Sequence, residues 1–167
     1  MIFVPLTRDQ AAALAETGEI APVRAHAVTA GLLAGHDLGG AGEEADYTAL
    51  AYAGVSALLG GADPLRLVLA AELPHLPAQP DRTEPDDPFG RIVLPRLAWP
   101  EVTAVFADEP ASAERLSRAR ARAAGRSFED VVDDPEVEAL LDACDLLWFL
   151  PEELPAVITP EGPDGSG

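Results

Sequence analysis

The residues in this chain whose types and spacing could do chemistry are few, and histidine comes first. His26, then His36 beside Asp37, then Glu43-Glu44 offer imidazole and carboxylate donors of the kind that hold a divalent metal for hydrolysis. HD-type phosphohydrolases use such a series on a long helical bundle. Here the pair lies in Gly35-His36-Asp37-Leu38-Gly39, beside a glycine-rich break and ten residues after His26. Exposed loop residues are the competing reading, and no metal is expected. Gly54-Val55-Ser56-Ala57-Leu58 lacks the second glycine of a nucleophile elbow and falls mid-helix, so Ser56 is expected to be a small packing residue. Cys144 shares a helical face with Val137, Leu140 and Leu141 and reads as a buried small hydrophobe. Gly39-Gly40-Ala41-Gly42 precedes a helix, but Glu43, Glu44 and Asp46 open that helix and would repel phosphate. The sequence assembles no catalytic set and implies no cofactor.

Two further constellations could make contacts. Arg115, Arg118, Arg122 and Arg126 follow 3, 4, 4 spacing and form one helical stripe, able to take an anion or an acidic partner. Residues 127–153 follow directly with ten acids and no base, so internal pairing is the other expectation. The second constellation is aromatic and acidic. Tyr47 follows Glu44 and Asp46 near a helix start; Trp148-Phe149 ends the last apolar run, with Glu152 just beyond it. Adjacent strand residues point to opposite faces, so one of Trp148 and Phe149 is core and the other faces solvent, a partner or a pocket. Tyr47, Trp148 and Glu152 are the first candidates for the lining of any cleft.

Composition restricts the partners. The 167 residues carry 29 acids against 11 bases, a net charge of −18. Such a surface repels nucleic acid phosphates and anionic lipid heads, so neither nucleic acid nor membrane is an expected partner. All the bases are arginine. With no lysine there is no Schiff base, no P-loop lysine and no kinase lysine. With no asparagine there is no N-glycosylation. The single cysteine forbids an intrachain disulfide. The first residues lack the charge and apolar pattern of a signal peptide, and the expected location is cytoplasmic.

These groups must be placed by short elements. Strands are expected over 2–6, 24–28, 66–72, 91–94, 102–107 and 146–150. Helices are expected over 8–17, after Thr29 as a short helix carrying Leu32 and Leu33, and over 43–59, 111–124 and 136–143, with Thr7, Thr29 and Asp134 as N-caps and Gly18 as a stop. The 77–90 stretch holds four prolines and four acids and reads as a long exposed loop; 159–167 reads as a disordered tail. The order predicts one α+β domain over 1–158. It is a two-layer sandwich with helices on one face of a mixed sheet, of which a ferredoxin-like variant is one form.

Several stretches together resemble a family. They are Phe3-Val4-Pro5-Leu6-Thr7 leading into an Ala/Leu helix, His26-Ala27-Val28-Thr29, Asp46-Tyr47 opening an Ala-rich helix, and Leu147-Trp148-Phe149-Leu150-Pro151-Glu152-Glu153-Leu154-Pro155. The chain resembles a small uncharacterised actinobacterial family, a domain of unknown function, over most of residues 1–157. The resemblance implies a high-GC actinobacterial source and a cytoplasmic location, and it supplies no activity. The leading expectation is a non-enzymatic domain acting through protein contacts or self-association. A ligand-binding cleft near Tyr47, Trp148 and Glu152 comes second, and metal-dependent hydrolysis at His26, His36 and Asp37 third.

Overall fold

The first helix shows how local chemistry sets the element ends. Thr7 accepts a hydrogen bond from the Gln10 backbone while the Gln10 side chain accepts one from the Thr7 backbone. This reciprocal cap starts α1 (Arg8–Thr17), and Gly18 ends it with φ 86°, a left-handed conformation that glycine adopts at little cost. The computed structural model describes residues 1–73 and 87–159. Six apolar runs form one sheet: β1 (Ile2–Pro5), β3 (Val23–Ala27), β4 (Leu67–Ala71), β5 (Arg91–Leu94), β7 (Val102–Asp108) and β8 (Leu146–Phe149). Their order is β5-β3-β1-β4-β7-β8, and every neighbouring pair is antiparallel. Two short strands, β2 (Glu19–Ile20) and β6 (Leu97–Ala98), pair separately.

The remaining helices are α2 (Ala30–Gly35), α3 (Glu43–Leu59), α4 (Ala113–Ala123), α5 (Phe128–Val132), α6 (Pro135–Asp142) and α7 (Leu154–Ile158). The α+β class holds, with two corrections. The sheet is antiparallel rather than mixed. Helices also cover both faces instead of one. On one face α1 and α7 bury Leu14 and Leu154 against Ile2, Val4, Leu69 and Val105. On the other, α2 and α3 pack on Phe3, Val68, Ala70 and Ala104. Outside α3 a third cluster joins Leu58 to Leu116, Ala119, Val131, Val137 and Cys144. The central strand β4 is buried at all five positions, so its apolar run is continuous rather than alternating. Each fully buried leucine contributes about 1.5–3 kcal/mol.

Helix α3 lies on the sheet through its small residues. Ala45, Ala49, Ala53 and Gly54 are its buried positions besides Leu58. Tyr47, near the start of the helix, stands in solvent and is 73% exposed. Under Gly54 runs a buried ion pair. Arg66 donates Nε to Asp108 Oδ2 at 2.9 Å and Nη2 to Oδ1 at 2.7 Å, its backbone N–H reaches Oδ2 at 2.8 Å, and Nη2 also reaches the Cys144 carbonyl at 2.9 Å. This pair joins the starts of β4 and β8 to the end of β7.

Of the segment expected as an exposed loop, residues 77–86 lie outside the described residues. Its last part does not behave as expected: Asp87 and Gly90 are buried. Gly90 has φ 66°, and a Cβ there would stand 2.2 Å from the Ala27 carbonyl oxygen, so only glycine fits. The expected tail lies outside the described residues beyond Thr159.

Candidate functional site

Strand β3 alternates. Val23, Ala25 and Ala27 enter the core beneath α1, which leaves Arg24 and His26 on the face that carries α3. His26 is 2% exposed, and both ring nitrogens are engaged. Nδ1 lies 2.7 Å from the Phe89 carbonyl and Nε2 lies 2.7 Å from Ser56 Oγ. A carbonyl can only accept, so Nδ1 carries the proton and Nε2 accepts from the Ser56 hydroxyl. Burial lowers the His26 pKa; the Phe89 carbonyl opposes that, and the charge of Arg91 adds to it. The ring is therefore neutral near neutral pH.

An aromatic cluster surrounds this ring. Tyr52 stands one turn before Ser56 on α3, with its ring 5.0 Å from Phe89; Phe89 is 5.1 Å from Phe128, and Phe128 is 5.7 Å from His26. Burial, with Asp133 and Asp87 nearby, raises the Tyr52 pKa. Its hydroxyl is 2.8 Å from His36 Nε2, which also lies 3.2 Å from the Pro88 carbonyl. Arg91 spreads over Phe89 and Phe128 at 5.2 and 5.1 Å and bonds to Asp87 at 3.0 Å and Glu129 at 2.7 Å. Burial pushes the Asp87 carboxyl up, but the hydrogen bonds from Arg91 outweigh it and hold the carboxyl below its usual range. Both histidines thus hold the segment 87–91, where the chain returns to the sheet.

One side of this cluster is open. A concavity of about 1270 Å³ extends from His26 and Ser56 past Arg24, Val93 and the end of α3 to Pro5, Gln10 and Ile20. The distances place a serine hydroxyl, a neutral imidazole and an orienting carbonyl in a line that ends at that concavity.

The opposite edge of the sheet has another character. Strand β8 pairs with β7 only, so its outer side meets no strand among the described residues. Phe149 packs into the core beneath α7. Trp148, opposite Phe106 in register, is 57% exposed, and Leu147 and Leu150 are 40% and 48% exposed. Asp142, Asp145, Glu152 and Glu153, all exposed, bracket this run. Tyr47 stands on the side of α3 that continues through Leu50 to Gly54, where Leu146 lies 3.5 Å from the position of a Cβ.

The chain matches the model of a family of unknown function, DUF6912, over residues 1–158. It belongs to that family. No curated protein and no solved structure matches it. No helix among the described residues is long and apolar enough to cross a membrane.

The expected site residues fall in separate places. Tyr47, Trp148 and Glu152 are all exposed, and none lines the concavity. In the arginine stripe, Arg122 bonds to Asp134 at 2.7 Å and Glu136 at 2.9 Å, and Arg126 bonds to Asp134 at 2.5 Å. These hydrogen bonds hold the Asp134 carboxyl far below the usual carboxylate range. Arg115 and Arg118 remain exposed with no ion pair among the described residues. His26 and His36 are not loop residues in solvent: one is buried on a strand and the other is held by Tyr52 and Pro88. Asp37 is exposed with φ 56°. Among the described residues no three His, Cys, Asp or Glu side chains are grouped to hold a metal ion. Cys144 is buried in the third cluster as expected, although it lies just beyond the end of α6.

The sequence pattern marked Ser56 only as a small packing residue and did not single out Tyr52, Phe89, Phe128 or Arg91. One signal for two of them was available: Tyr52 and Ser56 are four apart on α3 and so share a face.

Proposed function

We propose that the protein is a cytoplasmic contact domain that works through β8, and that the occupant of this edge is an extended, basic segment of a partner protein. The observation that carries the reading is an edge strand, Leu146–Phe149, with no charge in it and with three large apolar side chains of its run in solvent. Sheet edges are ordinarily blunted by charge, proline or a bulge. The other edge, β5, carries a charge within the strand itself, Arg91. An added strand would gain backbone hydrogen bonds along β8, and Trp148 and Leu147 would supply side-chain contacts on the two faces. The four bracketing acids favour Lys or Arg at the ends of that strand. A second copy is disfavoured because it brings another −18 and sets the acids at one end of β8 against those at the other.

The test uses Trp148 emission and a short peptide of alternating valine and threonine with arginines at both ends. Binding should shift the emission to shorter wavelength, weaken with salt, and vanish in Leu147→Asp; in Trp148→Asp, which removes the reporter, its loss is read by isothermal titration calorimetry. Equal binding of the same peptide with glutamates in place of the arginines would refute the charge argument. A dimer at micromolar concentration, dispersed by Trp148→Asp, would make the occupant a second copy.

A further inference from the structure

The concavity on the far side of α3 is separate from β8 and carries its own chemistry. We propose that Ser56 is a nucleophile that takes an acyl group from small esters, with His26 as its base and Arg24 facing the developing oxyanion. Three observations support this. The hydrogen-bond polarity is set by the Phe89 carbonyl, which fixes the imidazole with its lone pair on Ser56 Oγ at 2.7 Å. Ser56 is partly buried and lines the concavity, so an ester in the concavity meets it, while the imidazole behind it is 2% exposed. Arg24 shares the strand face of His26, lines the same concavity, is exposed, and has no ion pair among the described residues. The backbone N–H groups around Ser56 are used within α3, so the oxyanion must be met by a side chain. The neighbouring cation, Arg91, is already held by Asp87 and Glu129.

The steps balance with water as the only co-reactant. Ser56 Oγ bonds to the ester carbonyl carbon as its proton passes to His26 Nε2. The bond from that carbon to the leaving oxygen breaks, and the alcohol departs with the proton from Nε2. Water then bonds to the acyl carbon and gives a proton to Nε2. The bond to Ser56 Oγ breaks, the acid leaves, and Oγ takes the proton back.

A fluorophosphonate probe tests this on the full chain, with mass spectrometry to locate the adduct. The expected result is one phosphonylated residue, Ser56. Labelling should be lost in Ser56→Ala and in His26→Gln, and slowed about a hundredfold in Arg24→Ala, with circular dichroism unchanged. On the wild-type protein the labelling rate should rise with pH and level off with a midpoint below 6.5, because only neutral His26 acts as base. That profile does not depend on whether His26→Gln folds. An unlabelled wild-type protein, an adduct elsewhere, or a rate independent of pH would overturn the proposal. None of these outcomes bears on β8, whose test reads peptide binding.

Discussion

Asp108→Ala removes the acceptor of the buried ion pair and leaves Arg66 in place. Both side chains are almost completely inaccessible, at 5% for Arg66 and 0% for Asp108. The substitution strips three N–H donors of their carboxylate: Nε, Nη2 and the Arg66 backbone N–H. Only Nη2 keeps a partner, the Cys144 carbonyl. Leaving a charge buried without its counter-ion costs about 3–5 kcal/mol. For a chain of this length each kcal/mol lowers the melting temperature by about 2–4 °C, so the expected drop is roughly 6–20 °C. Urea unfolding followed by circular dichroism reads the same loss as a lower midpoint at unchanged slope. The companion variant Arg66→Met with Asp108→Leu removes both charges and keeps apolar volume, and should recover most of the loss. A loss below about 1 kcal/mol for Asp108→Ala, or a double variant no better than the single one, would refute the claim that an unpaired charge is the dominant cost.

Gly54→Ala should destabilise although alanine favours a helix by about 1 kcal/mol. Its Cβ would lie 3.0 Å from Arg66 Nη1, on a guanidinium that cannot move aside while Asp108 holds it. In the Asp108→Ala background the guanidinium is released and the same substitution should cost less, a coupling measurable by a double-mutant cycle. Stability should also fall as the pH drops below 6.5. The folded His26 pKa is depressed, so the unfolded chain takes up a proton that the native state refuses, and stability present above pH 6.5 is lost on acidification. The slope is bounded by about 1.4 kcal/mol per pH unit, the worth of one proton, and should flatten in His26→Gln, measured by urea unfolding between pH 5 and pH 7. Asp87, held below its usual value by hydrogen bonds from Arg91, and Glu129, held below its own by its backbone N–H and then by Arg91, add a loss of the same sign lower in the acid range.

The elements were largely legible in one dimension. All six strands of the main sheet coincide with apolar runs, and α1 and α3 begin and end at their expected residues, because caps and glycine stops act within four residues of the helix end. The pairing of Arg122 and Arg126 with acids downstream was legible for a similar reason: Asp134 follows Arg126 by eight positions. The strands β2 and β6, of two residues each, and the five-residue helices α5 and α7 left no period to read.

What composition and pattern determined by themselves is an acidic α+β chain with one buried cysteine, an aromatic pair split between core and solvent on the last strand, and no lysine chemistry. Tertiary structure decided the rest. The antiparallel order of the sheet and the helices on both faces depend on which strands meet, and a run such as Leu67–Ala71 is equally apolar in either direction. It also decided that the most hydrophobic strand is an edge. His26 meets Ser56 and Phe89 across sequence separations of 30 and 63 residues, spacings at which no local propensity acts. Only the packing of α3 on its alanines brings that hydroxyl to the imidazole, and only the fit of Gly90 against Ala27 brings the carbonyl to its other side.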